Sequence, residues 1–487
     1  MVTYKTKFMW FGVFCVIFGF GFAQKQKPNL IIIQTDEHNF RTLGCYREQL
    51  SEDQAFIWGD GVEVKTPNLD RIAHEGAICN NFYAATPVCT PSRASFVSGL
   101  YPIATNAYQN DIPMKDEIIT FAEVLRKQGY ATSYLGKWHL DGDAKPGFEP
   151  KRKFGFTDNR YMFNRGHWKA IGEKHGKPYL LGDVDYEKEV QRVNLDKIDA
   201  PNFTTDFLTN KTLEILERDK NKQFCIMVSI PDPHGPNQIR EPYESMYNDL
   251  HFENPKTMLT STEKMPRWAV SKNKMEHDIN QKNMQRYFGM VKCIDDNAGR
   301  ILDFLDDNEL TENTIVVFTS DHGDLMGEHN RHNKGVPYET SARIPFLLRY
   351  PDKVEEGKVI NKAFTTTDFV PTILALMGAS AIEGVRGIDA SSDFVSNQKE
   401  VTDDRITYMS STGQSWVASM DHRYKLVIST ADKPWLFDLE KDPDELINFY
   451  NDANYESIAA KLKLSLKSQL KLYNDPILNS KKKLQWN

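Results

Sequence analysis

Short apolar, β-branched runs recur along this chain, and each ends in a cluster of polar residues. Leu30-Ile31-Ile32-Ile33-Gln34 leads into Thr35-Asp36-Glu37, the run over 224–230 leads into Pro231-Asp232-Pro233-His234, and the run over 314–320 leads into Asp321-His322-Gly323-Asp324. A run that is apolar at successive positions, instead of alternate ones, predicts a strand covered on both faces, as in a parallel sheet. Between these runs, helical periodicity predicts helices over 120–128, closed by Gly129, over 284–306 and over 368–378. Strands alternating with helices predict an α/β fold, in which ligands bind outside the carboxyl ends of the strands. Three strand ends that carry Asp or His fit that rule.

The pattern changes after the helix at 368–378. From about 384 onward, short alternating strands are predicted at 414–420 and 424–429, then at 435–439, followed by a terminal helix over 455–473. The chain therefore divides into a large α/β domain over 24–383 and a smaller antiparallel α+β domain over 384–487. Residues 141–201 are charged, aromatic and without clear period, and are expected to form a long insertion of the functional kind.

At the N-terminus, Lys5 and Lys7 precede an apolar run from Phe8 to Phe22, and Gly21-Phe22-Ala23 offers small residues where a signal peptidase reads them. Residues 1–23 are expected to be a removable export signal, which places the mature protein in the periplasm or outside the cell. The run is shorter than the roughly 20 apolar residues of a spanning helix, so stable membrane insertion is not expected.

Composition narrows the function classes. The 487 residues carry 60 Lys and Arg against 67 Asp and Glu, a net charge of −7. Removing the signal takes two lysines and makes the mature chain more acidic. No basic surplus marks a nucleic-acid partner. A polyanionic substrate would have to be met locally, by an ion or a few cationic side chains. Of the six cysteines, Cys15 leaves with the signal; Cys45, Cys79, Cys89, Cys225 and Cys293 show no CxxC spacing and are not a disulfide framework.

Cys89 precedes a short helical run, 94–100, closed by Gly99. It thus sits at a helix N-terminus, where free N–H groups and the dipole favour anions, with Arg93 adding charge in the first turn. Standing alone, such a cysteine reads as a buried structural one. It does not stand alone. Cys89-Thr90-Pro91-Ser92-Arg93, followed by Ser98-Gly99-Leu100-Tyr101-Pro102, resembles the C-x-P-S-R signature of type I sulfatases, in which the cysteine is oxidised to formylglycine. The likeness extends from Leu30 to the segment Leu436 to Glu445.

The resemblance implies an alkaline-phosphatase-like fold: a large mixed, mostly parallel sheet sandwiched by helices, with the smaller C-terminal domain beside it. It implies metal ligation by Asp36, Glu37, Asp321 and His322, with Cys89 joining them as formylglycine. Glu37 stands where Asp is usual and His322 where many members have Asn. Oxygen-rich ligation suits Ca²⁺, while an imidazole brings Mn²⁺ or another divalent metal within range. Gly136-Lys137-Trp138-His139 resembles the family's G-K-W-H segment, and His234 and Lys334 match its later histidine and lysine.

Together these imply sulfate ester hydrolysis. Arg93, Lys137, Lys334 and the metal would neutralise the sulfuryl oxygens, the hydrated formylglycine would attack sulfur, and Asp321 would accept the proton of the attacking hydroxyl. His234 or Lys334 would protonate the leaving oxygen, and His139 would take a proton from the second hydroxyl as sulfate is expelled. The expected substrate is a sulfated carbohydrate, met by Arg165, His167 and Trp168 in the aromatic-rich stretch 161–168, whose rings could stack on sugars. A formylglycine-generating enzyme or an anaerobic sulfatase-maturing enzyme is an implied partner. Two rivals stay open: a phosphonate or phosphate ester hydrolase of the same superfamily, and a non-catalytic polysaccharide-binding relative.

Overall fold

The structure is a computed structural model that describes residues 1–4, 27–259, 261, 264–270 and 278–486. Beyond residue 4, the expected export signal lies outside the described residues. Among the described residues, no helix is long and apolar enough to cross a membrane.

The first apolar run forms strand β1 (Asn29–Asp36), buried along its whole length. Its side chains alternate between two faces, as the pleat requires. Leu30 and Ile32 join one core layer with α2 (Cys89–Ser98), α3 (Phe121–Lys127) and α6 (Phe369–Leu376). Ile31 and Ile33 join the opposite layer with α1 (Pro67–His74), α4 (Thr204–Asp219) and α5 (Gln281–Asp307). A fully buried isoleucine contributes about 1.5–3 kcal/mol, so an all-apolar strand is stable only with both faces covered.

Nine strands make the large sheet. The others are β2 (Ala77–Tyr83), β3 (Ala131–Lys137), β4 (Met162–Phe163), β5 (Phe224–Pro233), β6 (Thr314–Ser320), β7 (Phe346–Arg349), β8 (Lys358–Thr365) and β9 (Glu400–Val401), in the order β9-β8-β2-β7-β6-β1-β5-β3-β4. Every pairing is parallel except those of β7, which runs against both neighbours. The mixed, mostly parallel sheet between helices is thus the architecture expected. The four central strands β6, β1, β5 and β3 run side by side in one direction and deliver their C-terminal residues to one place.

A second sheet of four antiparallel strands, β10 (Thr407–Ser410), β11 (Trp416–Met420), β12 (Tyr424–Ser429) and β13 (Trp435–Asp438), follows in simple up-and-down order. The helix α7 (Glu456–Leu472) covers one face through Leu462, Leu466 and Leu470. The other face meets Tyr83, Tyr338 and Ala342 of the large layer. Lys425 is buried at that junction, with Nζ 2.6 Å from Glu339 and 2.9 Å from Glu445.

The insertion contains more order than its sequence pattern suggested. Met162–Phe163 extends the large sheet beside β3, and two small hairpins pair Ile171–Lys174 with Lys177–Leu180 and Asp183–Asp185 with Val190–Arg192. Strands of two to four residues are too short to print a period. All five cysteines from Cys45 onward are buried and unpaired.

Candidate active site

The site is assembled at the shared edge of β6, β1, β5 and β3. Asp36 ends β1, where the register with β5 shifts between Gln34 and Asp36. Glu37 follows in the left-handed region, at φ 62°. Asp321 follows β6 and donates its backbone N–H to the Thr35 carbonyl at 3.2 Å, which locks the two acidic corners together. β3 comes close to β5 at Gly136: at φ 90°, a Cβ there would lie 1.9 Å from the Ser229 carbonyl oxygen, so only glycine fits.

Cys89 is the first residue of α2, which begins five residues ahead of the helical run read from position 94 and so takes Cys89 into its first turn. Its Sγ lies 3.1 Å from His322 Nε2 and 3.9 Å from Asp36 Oδ1. Ligand atoms of Asp36, Cys89, Asp321 and His322 all fall within 4.8 Å of one another, and all four residues are buried. His322 Nδ1 lies 3.0 Å from the Gly323 carbonyl and donates to it, which leaves the Nε2 lone pair facing the cluster. Two carboxylates and an imidazole converging in a buried cluster fit a divalent cation.

Arg93, one turn further along α2, lies beneath this cluster. Its Nη2 donates to Asp36 Oδ2 at 2.9 Å and its Nε to Asp321 Oδ2 at 2.8 Å. Nη1 reaches Ser229 Oγ at 2.7 Å, the Lys137 carbonyl at 2.8 Å and Gln34 Oε1 at 3.2 Å. Arg93 is thereby turned to the carboxylates and strand ends, and holds one oxygen of each aspartate while the other oxygens face the cluster. Burial, the largest influence on Asp36, favours its neutral form, yet Lys137 and Arg93 hold its carboxyl well below the usual range.

Cations and imidazoles surround the other side. Lys137 Nζ lies 2.6 Å from Asp36 Oδ2 and 2.7 Å from His167 Nε2. The His167 ring stacks on His234 at 3.5 Å. His234 Nδ1 lies 2.8 Å from the Gly235 carbonyl and donates to it, which leaves Nε2 between Lys334 Nζ at 2.7 Å and Glu37 Oε2 at 3.0 Å. Burial opposes the charge on Lys334, but Cys89, Glu37 and the two aspartates raise its pKa. The Cys89 thiol is lowered although burial and Asp36 push it up, because Lys334 and Lys137 outweigh them.

His139 stands apart from His234, with Nε2 3.3 Å from Asp111 Oδ1 and its carbonyl held by Thr90 Oγ1 at 2.9 Å. Asp111 is also paired with Arg165, whose Nε lies 2.5 Å from Glu189.

Of the expected site residues, Asp36, Cys89, Arg93, Lys137, His167, His234, Asp321, His322 and Lys334 are brought together, and His139 adjoins them through the Thr90 hydroxyl. Glu37 is present but differently employed: its carboxylate pairs with His234 and with Lys334 at 3.2 Å and stands outside the four-group cluster. Arg165 reaches the rim through Asp111. Trp168 is a correction. It is completely buried among Phe163, Ile171 and Ile230, with Nε1 donating to the Arg165 carbonyl at 2.8 Å, so its ring is a core element and offers no face to a sugar. Gln34, Ser229 and Asp111 escaped the sequence reading. Gln34 lies near the end of β1 and Ser229 within β5, among apolar residues that mask them, while Asp111 lies in a loop without any pattern.

Comparison with known proteins identifies the family. Residues 28–379 match the sulfatase family and residues 327–471 match the C-terminal region of N-sulphoglucosamine sulphohydrolase. The chain is 29% identical to an ulvan-active sulfatase of Formosa agariphila, over 91% of this chain and 81% of that protein. It is 26% identical to an N-acetylglucosamine-6-O-sulfatase of Bacteroides thetaiotaomicron, over 93% and 88%. A solved structure of an enzyme in complex with its substrate D-glucosamine-2-N,6-O-disulfate superposes with a TM-score of 0.76 at 23% identity, covering 92% of this chain and 99% of that one.

Proposed function

The chain belongs to the sulfatase family and is a sulfuric ester hydrolase, and from that premise we propose that it removes sulfate from a carbohydrate at the site built around Cys89. The observation that carries this reading is the convergence of Cys89 Sγ with Asp36, Asp321 and His322 beside two lysines. Asp36, Asp321, His322 and residue 89 would hold a divalent cation, with Ca²⁺ favoured by the carboxylates and Mn²⁺ accommodated by the imidazole. Cys89 oxidised to formylglycine would supply, once hydrated, a hydroxyl nucleophile and a second hydroxyl through which sulfate can leave, while the cation would supply Lewis acidity.

The chain's own groups do the rest. Lys137 and Lys334 neutralise charge on the sulfuryl oxygens. Asp321 is placed to accept the nucleophile's proton. His234, oriented through Gly235 and backed by Glu37 and Lys334, gives a proton to the departing alkoxide. His139, oriented by Asp111, takes a proton on the opposite side. Arg93 is a positioning residue that fixes both aspartates, and Glu37 serves His234 and Lys334 in this scheme.

The carbohydrate assignment draws on the similar sulfatases named for ulvan and for N-acetylglucosamine. Export through residues 1–23 and maturation by a formylglycine-generating or anaerobic sulfatase-maturing enzyme complete the proposal. Its test is the turnover of sulfated monosaccharides beside an aryl phosphonate: preference for the sulfated sugar supports it, and preference for the phosphonate contradicts it.

A further inference from the structure

The departing oxygen must lie against His234 to be protonated, so the carbon that bears it continues into whatever space adjoins that side chain. That space is a cavity of about 220 Å³ bounded by Glu37, His234, Tyr287, Met284 and Met326 and rimmed by asparagines. We propose that this cavity holds the alcohol half of the ester and selects a sugar ring that presents hydroxyls, not a second anionic group, on the side that enters. The inference rests on the sulfatase reading above.

Three observations support it. The first is size: the cavity is smaller than the roughly 300–1,000 Å³ of pockets that enclose drug-sized ligands, so it takes one ring and leaves the remainder of any longer chain outside.

The second is the chemistry of the rim. Asn237 Nδ2 donates to the Asn283 carbonyl at 2.9 Å, and Asn283 is held at the start of α5 by its backbone N–H on Asn280 Oδ1 at 3.0 Å. The side chains of Asn283, Asn333 and His332 make no hydrogen bond to another described residue. Each amide offers both a donor and an acceptor, which is what a hydroxyl requires.

The third is charge. Glu37 and Asp324 line the cavity and no lysine or arginine does. Asp324 Oδ1 is occupied by the backbone N–H groups of Met326 at 3.0 Å and Asn333 at 2.9 Å, which fixes the carboxylate in place. Lys334, which does not line the cavity, is already shared between Glu37 and His234. A second sulfate entering here would face two acidic side chains, while the cationic groups beside Glu37, Lys334 and His234, are already engaged with it, and a site that leaves an entering charge unpaired discriminates against it.

The test compares kcat/KM of the metal-loaded, mature enzyme for a monosulfated hexose, its disulfated counterpart and p-nitrophenyl sulfate. The wild type is expected to favour the monosulfated over the disulfated sugar by about tenfold or more. Asn283→Ala and His332→Ala, both at exposed positions, are expected to lower the ratio of monosulfated sugar to aryl sulfate by roughly tenfold. Asn283→Lys is expected to shift preference toward the disulfated sugar. Hydrolysis of the aryl ester with these ratios unchanged, or a wild-type preference for the disulfated sugar, overturns the inference alone. Failure to hydrolyse any sulfate ester overturns the sulfatase reading and the inference with it.

Discussion

His322 Nε2 lies 3.1 Å from Cys89 Sγ, with its Nδ1 proton committed to the Gly323 carbonyl. The imidazole is thus held with its lone pair in the cluster that Asp36 and Asp321 complete, the orientation a metal ligand requires. Purified protein is expected to carry a divalent cation, and His322→Ala to carry substantially less, as measured by elemental analysis. By mass action, metal at about 100 times its Kd stabilises the folded wild type by roughly 2.7 kcal/mol. That thermal shift should be largely lost in His322→Ala. Equal metal content in the two proteins would remove His322 from the ligand set.

Arg93 bridges Asp36 and Asp321 below the site, at 2.9 and 2.8 Å, and all three side chains are buried. Replacing Arg93 by Met leaves two carboxylates without their shared counter-charge, a loss of about 3–5 kcal/mol. Arg93→Lys should recover only part of it, since one ammonium cannot reproduce the fork that reaches both acids. Urea denaturation of the two variants checks this; a loss below 1 kcal/mol in Arg93→Met would contradict the positioning role.

His329 is buried, stacked on Tyr338 at 3.6 Å, and burial pushes its pKa down to about 3. Unfolded, the same imidazole titrates near its ordinary value of 6.5, so below that pH the unfolded chain binds a proton that the folded chain refuses. Folding stability should therefore fall as pH drops from 6.5 toward 3, by about 2 kcal/mol between pH 6.5 and 5 from this group. His329→Asn, which tolerates the positive φ of 52° at this position, should show a shallower acid loss than the wild type in parallel denaturation curves. Identical slopes would show that His329 does not carry this acid sensitivity.

The large sheet and its site were legible because buried parallel strands announce themselves twice, as unbroken apolar runs and as the polar residues that end them. Leu30 to Gln34 and the run over 314–320 placed Asp36 and Asp321, and both lie at adjacent strand ends. The order of the strands was not legible, because β7 enters between β2 and β6 through contacts remote in sequence. Trp168 shows a different failure. An aromatic residue beside Arg165 and His167 has the composition of a sugar platform, but whether its ring faces solvent or core is decided by the folded insertion, which buries it in the core cluster that also holds Phe163, Ile171 and Ile230. For Glu37 the family resemblance implies ligation at a position where Asp is usual; its pairing with His234 and Lys334 was not legible, because those residues lie far from it in sequence.

Cys89 is proposed to work as an aldehyde-derived nucleophile inside the carboxylate and imidazole cluster. Peptide mass spectrometry across Cys89–Arg93 of the active protein, combined with sulfatase assay of Cys89→Ala, tests it most directly. The expected result is formylglycine at position 89 in active preparations, and a Cys89→Ala protein that is folded, as judged by its circular dichroism, but has lost hydrolysis. An unmodified thiol at Cys89 in fully active enzyme would contradict it.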